Sequence, residues 1–336
     1  MLLTPIATGV AQEVATEPSG FSNLTLLGNS DTIVSLPFTR PRAACGLVDS
    51  SAGTVVQVKG SPAWSNNQFV YSSGVQTDSY YFKVRSGLKE GSAYTITASG
   101  PNTLTLDMAG DNLNGLSAND RFEIIPYWTL ATVFPGGAGI HESLSDLVHK
   151  SEVLVFDLNY AGINPSASKT YFFYQGNWQQ TGSGEVRNDD VLWPDAYFIV
   201  RHRIATDTTL MVRGAVIMSK LATSLGTDPS ARQDNIVALQ RPVAVSLNDS
   251  GLITSGAFIP SLNDLMHADE LLTFDNSVAG RNKSASATYF YYSGAWRRIG
   301  SGADVGSTLV FTPGTGVVIR KKPGTSSALW LNSPTY

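Results

Sequence analysis

An all-β protein made of two related modules is predicted by three observations. Helical periodicity is almost absent, and short runs of β-branched and aromatic residues alternate with polar ones between turn residues. The stretch 151–184 recurs at 269–302 with 19 identities in 34 positions and no gap. A separate series of alternating segments, 50–127, interrupts the first copy. We therefore expect two β-sandwich or barrel-like modules, the first with an inserted small barrel-like unit.

The chain divides into four segments on this basis. Residues 1–16 are apolar, and Gly9 and Ala11 stand at −3 and −1 of a plausible signal-peptidase site before Gln12. They are expected to be either a signal-peptide remnant or an extended N-terminal segment. The predicted first module comprises 17–49 and 128–232, the inserted unit 50–127, and the second module 233–336, as a repeat of 143–203.

The inserted unit reads as a meander of five or six strands. Its alternating segments are separated by turns at 87–91, 99–102 and 112–119, and "GPN" is a strong turn signal. "GDNLNG" at 110–115 is similar to a calcium-binding loop. Its glycine is one place off that pattern, however, and no bidentate Glu follows. We interpret it as a loop of asparagine turns.

The most distinctive repeated motif is an aromatic hairpin, "TYFFYQGNW" at 170–178 and "TYFYYSGAW" at 288–296. A two-residue turn at Gln175-Gly176 would pair Phe173 with Trp178. Aromatic residues on both faces are typical of a strand that is buried on both faces, so each hairpin is expected at the centre of its module's core. The alternative is an aromatic platform for sugar rings or a partner subunit. Its candidate contacts are Trp178, Trp296, Tyr171 and Tyr289.

A second repeated motif, "SLSDLVH" at 143–149, suggests the start of a short helix. Ser143 and Asp146 fit a capping box, and His149 would share a helical face with Asp146. The same three residues recur as Ser261, Asp264 and His267. A catalytic or metal-binding Asp–His pair is the competing interpretation. A metal would require a further ligand, and His141 and His202 are the remaining histidines.

Composition excludes several classes of protein. Charged residues make up 15% of the chain, against about 25% in typical globular domains. The net charge is −4 and no basic stripe is present, so we expect no nucleic-acid partner. No window of 18 apolar residues predicts a transmembrane span. The single cysteine, Cys45, excludes an intrachain disulfide and is expected either as a small buried side chain or in an intermolecular disulfide.

Motifs of the common enzyme classes are absent from the sequence. It contains no nucleophile elbow, no H-E-x-x-H, no P-loop and no dinucleotide-binding glycine pattern followed by a helix. We therefore expect a non-enzymatic protein without catalytic, cofactor-binding or metal-binding residues.

The order of motifs along the chain resembles one protein family. "DTIVSLPFTRP", "YYFKVRSG", "FEIIPYWTLATVFP", "YFFYQGNW", "ATYFYYSGAWR" and the closing "WLNSPTY" follow one another after residue 16. This order is similar to that of an uncharacterised, paralogue-rich family of exported β-rich proteins of Verrucomicrobia-type bacteria. The resemblance implies export and a structural or surface role, and it carries no activity or functional residues.

These observations together lead to one functional prediction and two alternatives. We expect an exported, non-enzymatic structural or surface protein at an extracellular or cell-surface location. Self-assembly as a homo-oligomer or surface assembly is part of this expectation. The first alternative is a carbohydrate-binding protein that uses the repeated aromatic hairpins. The second is a secreted hydrolase.

Overall fold

The computed structural model describes residues 17–336, so the predictions for residues 1–16 lie outside the described residues. The chain is nearly all β, which confirms the predicted fold class. The strands are β1 (Ser19–Leu26), β2 (Asp31–Val34), β3 (Ala44–Ala52), β4 (Val55–Val58), β5 (Tyr80–Val84), β6 (Ala93–Ser99), β7 (Thr103–Asp107), β8 (Arg121–Pro126), β9 (Trp128–Thr129), β10 (Ser151–Phe156), β11 (Ala167–Tyr174), β12 (Asn177–Gln180), β13 (Val191–Leu192), β14 (Phe198–His202), β15 (Thr208–Ala215), β16 (Leu221–Leu225), β17 (Gln233–Ala238), β18 (Val245–Ser246), β19 (Glu270–Thr273), β20 (Ala287–Tyr292), β21 (Ala295–Arg298), β22 (Leu309–Phe311), β23 (Gly316–Lys321) and β24 (Ala328–Asn332). The helical segments are one α-helical turn, α1 (Leu130–Val133), and two 3₁₀ turns, Pro135–Gly137 and Asn248–Ser250.

Two five-stranded antiparallel sheets have the same topology. The first has the order β12-β11-β10-β14-β2, and the second has the order β21-β20-β19-β23-β17. A two-stranded ribbon accompanies each sheet, β1–β15 in the first case and β16–β24 in the second. A short pair, β9–β13 or β18–β22, completes each set. The nine strands of one set therefore correspond one to one with the nine strands of the other.

Each set of strands encloses its own hydrophobic core. The inner face of the five-stranded sheet packs on the ribbon, because alternate residues of both elements are apolar and point inward. The first core includes Val153, Tyr171, Phe173, Val200, Leu210 and Val212. The second core includes Leu225, Leu271, Tyr289, Val317, Ile319 and Trp330.

The inserted segment forms a closed six-stranded barrel of order β3-β4-β7-β6-β5-β8. Its core includes Val56, Phe82, Ile96, Leu104, Phe122 and Ile124. The barrel begins at Ala44, so the placement of 44–49 in the first module was wrong. The sequence of β3, "ACGLVDSSA", lacks clear alternation, and its pairing with β8 and β4 holds it in the barrel. Cys45 on this strand is exposed, contrary to the expectation of a buried side chain.

The boundary between the two repeats also differs from the prediction. Residues 221–232 were assigned to the first module, but β16 pairs with β24 near the end of the chain. The ribbon strands share little sequence between the two sets, because only their inward apolar positions are constrained. Sequence identity between the repeats therefore predicted the five-stranded sheets and did not predict the ribbons.

The two repeats are joined by reciprocal contacts, which we call the clasp. The backbone N–H of Asp31 donates to Gly280 O at 2.9 Å, and that of Asp234 donates to Gly162 O at 2.9 Å. The Asp31 carboxylate accepts from the Asn282 N–H at 2.7 Å. The equivalent carboxylate, Asp234, accepts from the Asn164 N–H at 2.8 Å. Because each repeat makes the same contact to the other, they are related by a pseudo-twofold axis.

Arginine residues complete the clasp on both sides. Arg201 donates to Asp31 at 2.6 Å, and Arg320 donates to Asp234 at 2.7 Å. An apolar layer lies beside these ion pairs, where the outer faces of the two sheets meet; it contains Ile33, Ile236, Val318, Ile199, Phe156 and Phe274. The repeats therefore resemble an internal dimer with an isologous interface.

Candidate functional site

The repeated aromatic hairpins have the predicted register. Phe173 pairs with Trp178, and Tyr291 pairs with Trp296. The turn residues Gln175 and Gly176 have φ values of 48° and 75°, as a type I′ turn requires.

The four predicted contact residues do not form an exposed platform. Trp178 and Trp296 are each 1% exposed, and Tyr171 and Tyr289 are also buried. Trp178 packs against Phe134 and Trp296 against Phe258, with ring centroids 5.3 and 4.9 Å apart. The two indoles therefore serve the cores, and the proposed platform for sugar rings on them is wrong. The duplicated aromatics reflect duplicated cores.

The predicted helix at the second repeated motif is absent, because residues 143–149 form a tight loop. The N–H of Ser143 is bonded to Phe173 O at 2.8 Å, and β10 begins at Ser151, which leaves too few residues for a stable helix. The Ser145 hydroxyl accepts from the N–H groups of Leu147 and Val148 at 3.2 and 3.1 Å. In the second copy the Asn263 side chain accepts from Leu265 and Met266 in the same way.

The histidines of this motif pair with glutamates rather than with the predicted aspartates. His149 Nδ1 lies 2.9 Å from Glu152 Oε1, and its Nε2 lies 2.8 Å from the carbonyl oxygen of Asp146. Its ring stacks on Phe172 at 3.9 Å. His267 repeats this arrangement with Glu270, Asp264 and Phe290. Each histidine therefore fixes the loop onto the outer face of its sheet, with both ring nitrogens occupied.

The residues at the tips of these loops are apolar and exposed. We call 144–148 and 262–266 the knuckles. Leu147 and Leu265 are each 86% exposed. Their apolar neighbours on the knuckles are exposed as well: Leu144, Val148, Leu262 and Met266. This feature was not predicted, because the sequence alone does not distinguish an exposed leucine in a short loop from a leucine of the core. The signal that could have revealed it was the repetition of the apolar motif outside any strand.

A buried polar cluster lies beside the first knuckle. Ser151 Oγ is 2.9 Å from His202 Nδ1, and His202 Nε2 is 2.8 Å from Thr208 Oγ1. Burial, together with the neighbouring His141, lowers the pKa of His202 to about 4, while Asp207 opposes this shift. Ser151 and His202 are both inaccessible to a substrate. The cluster therefore has the composition of a Ser–His pair without the access that catalysis requires.

A second buried titratable group, Lys83, lies where the barrel meets the repeats. Its amine donates to the carbonyl of Gly91 at 2.7 Å. Burial, with Arg85 and Arg241 nearby, lowers the pKa of Lys83 to about 7, and Asp195 opposes this effect. An amine with such a pKa suits base or nucleophile chemistry. Here the amine is buried and engaged by a backbone carbonyl, so its contacts are those of a structural group.

Neither a metal-binding cluster nor a membrane-spanning helix is found within residues 17–336. No group of three or more His, Cys, Asp or Glu side chains in this range could hold a metal ion. Asp111 in the loop considered for calcium is instead paired with Lys89, and Asn112 forms an asparagine turn with the N–H of Asn114. No helix of residues 17–336 is both long enough and apolar enough to span a bilayer.

The chain was also compared with family models, with curated proteins and with solved structures, and no match was found in any of the three.

Proposed function

We propose that this protein is an exported, non-enzymatic surface protein that assembles with further copies of itself through its two knuckles. The observation that carries this proposal is the duplication of an exposed apolar loop with the same internal hydrogen bonds in both repeats. A solvent-exposed leucine forgoes about 1.5–3 kcal/mol of burial free energy. Six exposed apolar side chains held in two loops of the same conformation therefore favour a contact that buries them.

The rigidity of the knuckles supports a binding role. The stacked His149 and the Ser145 turn hold the first knuckle on its sheet, and His267 and Asn263 hold the second. A loop that is already ordered loses little conformational entropy when it binds, which strengthens association.

Another copy of the chain is the occupant that the charges favour. Each knuckle carries an aspartate, Asp146 or Asp264, and an aspartate is costly to place in a bilayer. The outer face of ribbon β1–β15 offers a complementary surface. Phe21 lies opposite Arg213 there, next to the exposed Met211. This face combines apolar area with a positive charge.

The second ribbon offers an equivalent apolar face. Leu329 and Leu331 of β24 are exposed on it. Each chain would then present two knuckles and two receiving faces. Contacts between unlike surfaces extend into open assemblies unless the rotation between copies closes a ring.

The assembly is tested by sedimentation velocity of a protein that comprises residues 17–336, over a wide range of concentrations. We expect concentration-dependent polymers for this protein without substitutions and monomers for its double variant Leu147→Ser/Leu265→Ser. Leu88→Ser is the matched control, because Leu88 is an equally exposed leucine on the barrel with no repeated counterpart. A monomer at every concentration for the unmodified chain would overturn the proposal, as would equal loss of assembly in the control.

Export is supported by the low charge content of the chain. Its test is digestion of intact producing cells with an added protease. Loss of the full-length band from intact cells or from the medium supports export. Complete protection until the cells are lysed contradicts it.

Carbohydrate binding is the second candidate function. It is favoured by an open cleft in the second repeat, which contains one of the four residues predicted from the sequence, Tyr289.

A further inference from the structure

The two repeats differ in the size of a cleft that borders each five-stranded sheet. In the first repeat the cleft has a volume of only about 10 Å³. In the second it has a volume of about 180 Å³, far above the roughly 10–15 Å³ that one water molecule needs. The linings are equivalent in the repeat: Val155, Phe156, Ala196, Tyr197 and Phe198 correspond to Thr273, Phe274, Thr315, Gly316 and Val317.

Smaller side chains open the second cleft. Tyr197 and Phe198 of the first repeat are replaced by Gly316 and Val317, and Trp193 is replaced by Thr312. Gly316 cannot carry a larger side chain, because a Cβ atom there would lie 2.4 Å from the Tyr197 ring. The packing of Tyr197 from the first repeat therefore requires a glycine at this position of the second.

A tyrosine hydroxyl in the second cleft lacks the partner that its counterpart has. Tyr171 of the first repeat donates to Asp190 at 2.5 Å. The position of Asp190 is occupied by Thr308 in the second repeat, since the Asp190 carbonyl accepts from the Leu130 N–H as the Thr308 carbonyl accepts from the Leu247 N–H. The Tyr289 hydroxyl makes no hydrogen bond to another residue of 17–336. Tyr289 is only 8% exposed. A hydroxyl that lines an open cleft and has no protein partner is a group that a ligand can bind.

The rest of the lining is uncharged and rich in hydroxyl groups. Thr312 and Thr315 place their hydroxyls 2.7 Å apart, and Thr315 also donates to Thr312 O at 2.9 Å. Thr273 adds a third hydroxyl, and Phe274 supplies an aromatic wall. No Asp, Glu, Lys, Arg or His lines the cleft. A charged ligand would lose its hydration here without gaining an opposite charge.

We propose that this cleft binds one neutral, hydroxyl-bearing ring, such as the terminal residue of an uncharged glycan. The hydroxyls of Tyr289 and the threonines would hydrogen-bond the ring hydroxyls, and Phe274 would contact its C–H face. This site contains no residue of the knuckles, so the proposed ligand binding does not depend on the proposed assembly.

The test is ligand-observed NMR and calorimetry with glucose, galactose, mannose and N-acetylglucosamine as the probes. We expect millimolar binding of at least one of them. Tyr289→Phe removes only the hydroxyl and should weaken binding about 3- to 10-fold. Thr312→Trp restores the residue of the first repeat and should abolish binding. Tyr171→Phe is the matched control and should leave binding unchanged.

Several outcomes would overturn the proposal. These are the absence of binding by all four sugars, binding that survives Thr312→Trp, and equal or tighter binding of glucuronate or of benzene. Thermal melting of each variant separates loss of the site from loss of the fold. The double variant Leu147→Ser/Leu265→Ser should bind sugar like the unmodified chain, so failure of the assembly proposal does not affect this result.

Discussion

The two repeats place two different pairs of polar side chains at the same buried positions. In the first, Ser151 and His202 form a buried neutral pair, and the second has Asp269 and Lys321 at the same positions. His202 reaches the carbonyl of Gly139 through Thr208, with steps of 2.8 and 2.6 Å. Lys321 donates directly to the equivalent carbonyl, that of Ala257, at 2.5 Å. The longer lysine side chain therefore replaces a histidine and a threonine.

The hydrogen bonds around His202 define its tautomer. Thr208 donates to a carbonyl, so its oxygen accepts from Nε2–H of His202. Nδ1 then accepts from the Ser151 hydroxyl, which itself accepts from the N–H of His141 at 2.9 Å. The neutral imidazole satisfies every group in this chain of bonds, whereas an imidazolium would leave the Ser151 hydroxyl without its acceptor. The comparison teaches that a buried pair can be uncharged or doubly charged on the same backbone, provided that every polar atom has a partner.

The largest effect is expected from breaking the ion pair of the second repeat. Lys321→Met leaves the buried Asp269 without its cation, although two N–H groups, from Ile259 and Lys322, still bond to it. Removing one partner of a buried pair costs about 3–5 kcal/mol. Urea unfolding at pH 7 measures this loss, with Lys322→Met as the exposed control. A loss below about 1 kcal/mol would show that the backbone donors alone stabilise the carboxylate.

The second prediction concerns pH and distinguishes the neutral pair from the ion pair. Because the pKa of His202 is about 4 in the folded protein and about 6.5 in the unfolded chain, the unfolded chain binds the proton more readily. Its contribution to stability is present above pH 6.5 and is lost as the pH falls to 4, by about 3 kcal/mol at most.

The measurement is the free energy of unfolding at pH 7, 5.5 and 4 for the unmodified chain and for His202→Gln. The difference between them should shrink as the pH falls, because glutamine does not titrate. A constant difference over this range would contradict the assigned shift.

A smaller effect is expected from the hydroxyl that connects the two histidines of the first repeat. Ser151→Ala removes the acceptor of the His141 N–H and the donor to His202. Leaving buried polar groups unpaired costs about 1–3 kcal/mol. Denaturant unfolding of this variant at pH 7 gives the value, and the exposed Ser183→Ala serves as the reference. If the two variants proved equally stable, water would have to replace the lost hydroxyl.

The elements that the sequence predicted well are those with local patterns. The hairpin turns were predictable because Gln175-Gly176 and Ser293-Gly294 require positive φ and lie between alternating aromatics. Strands β5, β6 and β7 were predictable for the same reason. By contrast, β3 and the ribbons depend on long-range pairing, and their own sequences lack a clear period.

The functional features were harder to predict because their partners are distant in sequence. The clasp joins Asp31 to Asn282, and no local pattern relates two residues 251 positions apart. The motif A-G-x-N-x-S, repeated at 161–166 and 279–284, was a usable signal, since identity in a loop is not explained by a core. The unpaired Tyr289 was missed for another reason: its motif is the same as that of Tyr171, and only the distant change from Asp190 to Thr308 distinguishes them.

The last prediction compares these two tyrosines and includes the smallest expected effect, that of Tyr289→Phe. Tyr171→Phe removes a hydrogen bond to a carboxylate, which is worth about 1.5–3 kcal/mol. Burial and the neighbouring Asp190 raise the pKa of Tyr171, so its hydroxyl remains a donor throughout the neutral range. Tyr289→Phe removes no protein hydrogen bond and should change stability by less than about 0.5 kcal/mol. Thermal and urea unfolding of both variants give this pair of values. Equal losses would mean that the Tyr289 hydroxyl is already satisfied without a ligand, and the cleft of the second repeat would then offer a ligand only its threonines.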